Sequence, residues 1–153
     1  MIRERGEPQG YPLNAVRICI DRYSNYDVEG RIYSRLQQEP ILFRNCGEML
    51  LKADYMFDER GFPQTFQQRR CFGENRRITY RKPWKILPND ALILEQRGSF
   101  GTYDVIVRSR KKSSWQGIFR KRDGTRTEEF QSEMELLNCI WDEVLNKKTT
   151  NSS

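Results

Sequence analysis

The chain has no histidine among its 153 residues. That absence removes the Ser-His-Asp and Cys-His nucleophile systems, the HExxH zinc sites and any imidazole pH switch. Cysteine is scarce, and Cys19, Cys46, Cys71 and Cys139 lie far apart with no CxxC pair. Zinc ligation by thiolates needs short spacings and disulfide frameworks belong to exported chains, so buried, idle thiols in a reducing compartment are expected. Cys71 follows Arg69-Arg70, which favours a thiolate, but no general base accompanies it. Long apolar runs are missing too. Met49-Leu50-Leu51 and Ala91-Leu92-Ile93-Leu94 are the longest that matter, far below the roughly 20 residues of a spanning helix, so no membrane association is expected. The glycines form neither GxxxxGK[ST] nor a strand-linked GxGxxG, which disfavours nucleotide hydrolysis. The opening residues, Met1-Ile-Arg-Glu-Arg-Gly-Glu-Pro, carry both charge signs and no apolar core, so no secretory signal is expected here and the expected location is cytoplasmic.

What is present, 37% apolar, 12% aromatic and 31% charged residues, suits one soluble domain spanning residues 1–153. Sliding the sequence against itself by 87 positions superimposes two segments without a gap. Gly30 then falls on Gly117, Arg35 on Arg122, Phe43 on Phe130, Glu48 on Glu135 and Leu50 on Leu137. In each copy an alternating stretch, Ile18 and Ile20 or Tyr103, Val105 and Val107, predicts a strand. A second strand follows around the shared glycine, with Val28 and Ile32, or Trp115 and Phe119, facing the core. Asn45-x-x-Glu48 and Ser132-x-x-Glu135 then read as capping boxes, each opening an amphipathic helix. The apolar stripes are Met49, Leu50, Ala53, Met56 and Phe57, then Leu136, Leu137, Ile140, Trp141, Val144 and Leu145.

The expected architecture is therefore α+β, an internal duplication of a ββα unit with a largely antiparallel sheet and both helices on one face. The units are 16–59 and 102–145, joined by a basic insert at 60–101, and 146–153 is a flexible polar tail. Within the insert Ala91–Glu95 reads as a strand, turning back through Gly98-Ser99-Phe100-Gly101 into the next strand as a hairpin. Glu48 and Glu135 invite a reading as paired catalytic carboxylates. Capping explains them better, because each sits where it satisfies orphan N–H groups.

At Ser114-Trp115-Gln116-Gly117, with Phe130-x-Ser132-x-x-Glu135-Leu136-Leu137 after it, the chain resembles small uncharacterised bacterial proteins in which a tryptophan-glutamine-glycine hairpin leads into such a helix. The resemblance covers about the last third of the chain. It implies the hairpin-helix unit and a bacterial or phage setting, and it implies no activity or cofactor.

The net charge of +6 is unevenly placed. Residues 60–126 hold 17 basic and 5 acidic side chains, against 8 and 10 before them and 2 and 6 after them. One basic stretch interleaves Arg69, Arg70, Arg76, Arg77, Arg81, Lys82 and Lys85 with Phe72, Tyr80 and Trp84. Guanidinium groups for phosphates and rings for bases are the chemistry of single-stranded nucleic-acid binding. The second is the Gly117 hairpin, where period two turns Arg108, Arg110, Arg120 and Arg122 outward beside Lys111 and Lys112 in the turn. Clustered like charges are costly unless an anion lies opposite, although exposed arginines also protect a strand from aggregation.

The expected function is non-enzymatic binding of nucleic acid or another polyanion through this basic middle, without metal or cofactor. The alternative is a protein-interaction module for an acidic partner, with homodimerisation as an option. A metal-dependent hydrolase ranks third, its candidate run being Asp90…Glu95-Gln96-Arg97.

Overall fold

Ala15-Val16-Arg17-Ile18-Cys19-Ile20 is apolar on both faces of an extended strand apart from one arginine, a pattern that requires cover on both sides. In the computed structural model, which describes residues 11–24, 26–61, 91–110 and 114–152, with side chains as far as 146, all six are buried. They form the first part of β1 (Ala15–Ser24). There follow β2 (Asp27–Ser34), β3 (Gln37–Phe43), α1 (Cys46–Arg60), α2 (Ala91–Leu94), β4 (Gly101–Ser109), β5 (Gln116–Lys121), β6 (Thr127–Phe130) and α3 (Glu133–Ser152). The fold is α+β, with one six-stranded antiparallel sheet in the order β3-β2-β1-β4-β5-β6. No helix among the described residues is long and apolar enough to cross a membrane.

Three expectations are corrected. Each long helix follows three strands rather than two, because the segments before Phe43 and Phe130 pair with the glycine strands as β3 and β6. Ala91–Leu94 is a helical turn instead of a strand, so Gly98–Gly101 leads from a helix into β4 and closes no hairpin. The reason lies in Arg17, whose Nη1 donates to the carbonyls of Leu94 at 2.9 Å and Ile93 at 3.4 Å; a helical turn converges its last carbonyls in this way. Residues 146–152, expected to be a tail, belong to α3.

The pairings of the two halves share one register. Ile18 faces Ile32, Ile20 faces Gly30 and Gly30 faces Phe43; Val105 faces Phe119, Val107 faces Gly117 and Gly117 faces Phe130. Adding 87 to the first set gives the second. The irregularity between Ile20 and Arg22 recurs between Val107 and Ser109. Both glycines are demanded by close approach, since a Cβ on Gly30 would overlap the Cys19 carbonyl oxygen and one on Gly117 that of Ile106. In the central pairing Arg17 faces Asp104, and these two residues are themselves 87 apart. Position 17 thus meets its own counterpart at the middle of the sheet.

Alternation divides the sheet's side chains between two clusters. Ile18, Ile20, Val28, Ile32, Val105, Val107, Trp115 and Phe119 join Met49, Ala53, Met56, Phe57, Leu136, Ile140 and Val144 of the helices in the main core. Ala15 and Ile106, on the other phase of the pleat, pack with Tyr11, Ile93 and Tyr33. The ends of the central strands reach the long helices. Tyr23 of β1 makes an edge contact with Trp141 of α3, with centroids 6.0 Å apart, and Arg110 beyond β4 pairs with Asp54 and Asp58 of α1 at 3.0 and 2.9 Å.

Both helices start alike. The Glu48 amide donates to Asn45 Oδ1 at 2.8 Å while Glu48 Oε1 accepts from the Arg44 amide at 2.9 Å. Likewise the Glu135 amide donates to Ser132 Oγ at 3.2 Å, and Glu135 Oε1 accepts from the Gln131 amide at 2.8 Å. The return bond lands one residue earlier than in a standard capping box, with the same satisfaction of orphan donors. Asn45→Ala and Ser132→Ala should each lower stability by about 1 kcal/mol in equilibrium urea unfolding, and an unchanged midpoint for both would refute the capping role.

Candidate polyanion-binding face

Of the basic residues expected to bind, Arg69, Arg70, Arg76, Arg77, Arg81, Lys82, Lys85, Lys111 and Lys112 lie outside the described residues, as do Tyr80 and Trp84. The described remainder is the β4–β5 hairpin. Arg108 and Arg122 are exposed and Arg120 is half-buried. Val107 and Phe119 turn into the main core, so Arg108 and Arg120 take the opposite face, and Arg120 stands beside Asp104 in register.

Arg110 departs from the expected outward row. The irregularity between Val107 and Ser109 shifts the alternation and turns Arg110 inward, where it is 1% exposed. Its guanidinium lies 5.7 Å from the Phe57 ring centroid and bonds Asp54. Asp54 Oδ1 also accepts from Trp115 Nε1 at 2.8 Å. Trp115, 1% exposed, packs edge-on against Phe57 at 5.6 Å. The tryptophan and glycine of the Ser114–Gly117 motif are thus structural, one filling the core and the other admitting a neighbouring backbone.

Most other arginines meet carboxylates. Arg22 pairs with Glu29 at 2.8 Å, Arg31 with Asp21 at 2.9 Å, Arg44 with Glu48 at 2.9 Å and Arg126 with Glu143 at 2.8 Å. Arg108 reaches Glu129 only at 3.7 Å, with both side chains more than half exposed. Such exposed pairs are worth little and yield readily to a competing anion. Among the described residues Arg97, Arg120 and Arg122 have no ion-pair partner. Arg97, Lys121 and Arg122 line a cleft of about 430 Å³ together with Asp123 and Glu143, and Lys121 pairs with Glu143 at 3.3 Å, so the cleft is of mixed charge. The described residues together hold 16 lysines and arginines against 17 aspartates and glutamates. The positive surplus of the whole chain therefore belongs to 62–90 and to Lys111 and Lys112.

The sequence reading missed the buried polar cluster at the sheet centre. Arg17 Nε and Nη2 donate to Asp104 at 3.0 and 2.9 Å, and the Tyr11 hydroxyl donates to Asp104 Oδ1 at 2.5 Å. Arg17 and Asp104 are each 4% exposed. Burial, with the adjacent Asp104 charge, pushes the Tyr11 hydroxyl well above its usual range, so it remains a donor at neutral pH. Two signals were available: an arginine inside an apolar run, and its landing on an aspartate under the 87-residue offset. The cluster fastens α2 and Tyr11 over the strands, and every group in it has a partner.

The acidic candidates offer little catalysis. Hydrogen bonds from Arg44 hold the Glu48 carboxyl down at about 2, the opposite of the raised value a general acid requires. Glu95 is exposed, and Asp90 lies outside the described residues. No group of three or more His, Cys, Asp or Glu side chains able to hold a metal occurs among the described residues. Cys19, Cys46 and Cys139 are buried free thiols, pushed by burial to about 11, 12 and 11, so they are protonated and inert at neutral pH. Comparison with family models, curated proteins and solved structures found no match to this chain.

Proposed function

We propose that this chain is a non-enzymatic binding protein that holds a polyanion, most specifically nucleic acid, through its basic middle. The observation that carries the reading is the division of charge. A nearly neutral folded body, whose arginines are mostly neutralised by carboxylates, bears a concentrated surplus at 62–90 and Lys111-Lys112. Arg108, Arg120 and Arg122 belong to one strand hairpin and are unpaired or loosely paired among the described residues. A charge that served solubility alone would not need to be gathered in this way.

The same reading extends to the architecture. The body is an internal duplication of a strand-strand-strand-helix unit, with both long helices on the main-core face of the sheet. Supporting it are the common register, the coincident irregularities, the two glycines packed against equivalent carbonyls and the matched helix caps. Arg108 and Arg120 of the hairpin then stand on the opposite face.

Labelled single- and double-stranded oligonucleotides, titrated across a salt series, test the function. Affinity should fall linearly on log–log axes. Arg108→Glu/Arg120→Glu/Arg122→Glu should weaken binding and flatten the slope by up to about 2 to 3, at roughly 0.7 to 0.9 for each phosphate left without its cation. No affinity at low salt, or affinity without a salt slope, would reject nucleic acid. Equal affinity for polyglutamate would instead favour an acidic protein partner.

A further inference from the structure

The two ends of the sheet hold equivalent positions under the 87-residue offset, but their chemistry differs. At the β6 end, the groove between edge strand and α3 is lined by Glu128, Glu129, Glu135, Asn138 and Asp142, with Arg126 bonded to Glu128 and Glu143 across it. At the β3 end the matching groove, a cleft of about 610 Å³, is lined by Ile41, Leu51, Tyr55 and Met56. Leu51 and Tyr55 are 72% and 66% exposed. Apolar exposure gathered in one concave patch marks an interface. This edge is not suited to an added strand. Pro40 removes one donor from β3, and Lys52 Nζ already takes the Leu42 carbonyl at 2.8 Å. The groove therefore accepts side chains rather than backbone.

We propose that a second copy of this chain covers the groove, with α1 packed antiparallel on α1 about a twofold axis between Tyr55 and Met56. The inference is independent of the polyanion reading. It rests on self-complementary charge. The residues that α1 gives to the groove are Leu51, Lys52, Tyr55, Met56, Glu59 and Arg60. A twofold midway between 55 and 56 exchanges 52 with 59 and 51 with 60. Each Lys52 is then set beside the second copy's Glu59, since these two share one stripe of the helix. Glu59 has no ion-pair partner among the described residues, and Arg60 Nε is buried with no hydrogen-bond acceptor. Lys52, bonded to the Leu42 carbonyl and 3.6 Å from Glu48 Oε1, keeps a donor to spare, since an ammonium offers three. The acidic β6 end supplies the counter-selection. Packing the apolar groove onto that end would strip water from carboxylates without pairing them, so head-to-tail growth is disfavoured and the assembly closes as a pair.

Sedimentation of the full chain from micromolar to hundreds of micromolar should show a reversible monomer–dimer equilibrium. Leu51→Glu and Tyr55→Lys should each weaken the dimer at least about tenfold, as expected for central interface anchors. Lys52→Glu and Glu59→Lys should each weaken it, and the double exchange should restore it, which a mere change in fold stability would not do. Asn138→Glu at the opposite end should leave it unchanged. Circular dichroism and unfolding midpoints establish that each variant is folded. A monomer at every concentration, the outcome if another part of the chain or a different protein occupies the groove, would overturn the proposal. So would a dimer indifferent to Leu51→Glu, or a charge exchange that fails to restore association.

Discussion

Asp104→Ala is expected to be the most damaging single substitution in the chain, costing about 3 to 5 kcal/mol, the range for removing one partner of a buried ion pair. The loss comes from what remains. Arg17, 4% exposed, would keep its charge with its twin carboxylate bonds gone, and the Tyr11 hydroxyl would lose its acceptor. Against a total stability of about 5 to 15 kcal/mol, that loss leaves little reserve. The pair is nevertheless not itself a strong source of stability, because two charges have been taken from water to form it. Arg17→Met/Asp104→Leu should therefore recover most of the loss, and urea unfolding of both variants tests the point. A cost below about 1 kcal/mol for Asp104→Ala would mean that water reaches Arg17 and that the centre of the sheet is wet.

Gly117→Ala should rank next, with a loss above the roughly 1 to 3 kcal/mol of ordinary overpacking. The added methyl would meet the Ile106 carbonyl, a backbone group in the neighbouring strand that yields only if the pairing opens. It would also lie 3.1 Å from Phe130 Cζ, pressing on the ring that covers this position. Gly30→Ala meets the Cys19 carbonyl in the same way and should cost a similar amount. Gly124→Ala provides the comparison. Its φ of 80° strains an L-residue, yet nothing lies within 4 Å of the new Cβ, so it should cost only about 1 to 2 kcal/mol. Thermal unfolding of the three variants separates overlap from backbone strain; equal losses in all three would show that conformation, not space, selects these glycines.

Strands and helices were legible wherever period and caps agreed. Ile18, Ile20, Val28 and Ile32 declared their face, and Asn45 with Glu48 marked a helix start that the bonds reproduce. The edge strands were not legible. Gln37–Phe43 contains Pro40 and Glu39, and Thr127–Phe130 contains two glutamates, so each buries only its final phenylalanine fully and the alternation is too short to read; each is extended because an inner strand offers it an open edge. Ala91–Leu94 misled because a short apolar run suits either structure, and the deciding partner, Arg17, is more than seventy residues away. Arg110 misled through an irregularity of a single residue, enough to exchange inside for outside. Of the candidate site, Arg108 and Arg120 lie on the face that alternation gave them, and Arg122 is exposed just beyond the strand; most of the site's charge belongs to residues outside the described ones.

The central pairing of β1 with β4 has a kinetic consequence. The β1–β2 and β4–β5 pairings join close neighbours in sequence, whereas Arg17 and Asp104 can meet only after 87 residues of chain have been gathered. Loop closure on that scale exacts its entropy before any of the central contacts reward it. The two meanders are therefore expected to form early and their joining to limit the folding rate. Substitutions at Val16 and Val105, which face each other across that seam, should slow refolding in stopped-flow experiments, while those at Phe43 and Phe130 should chiefly speed unfolding.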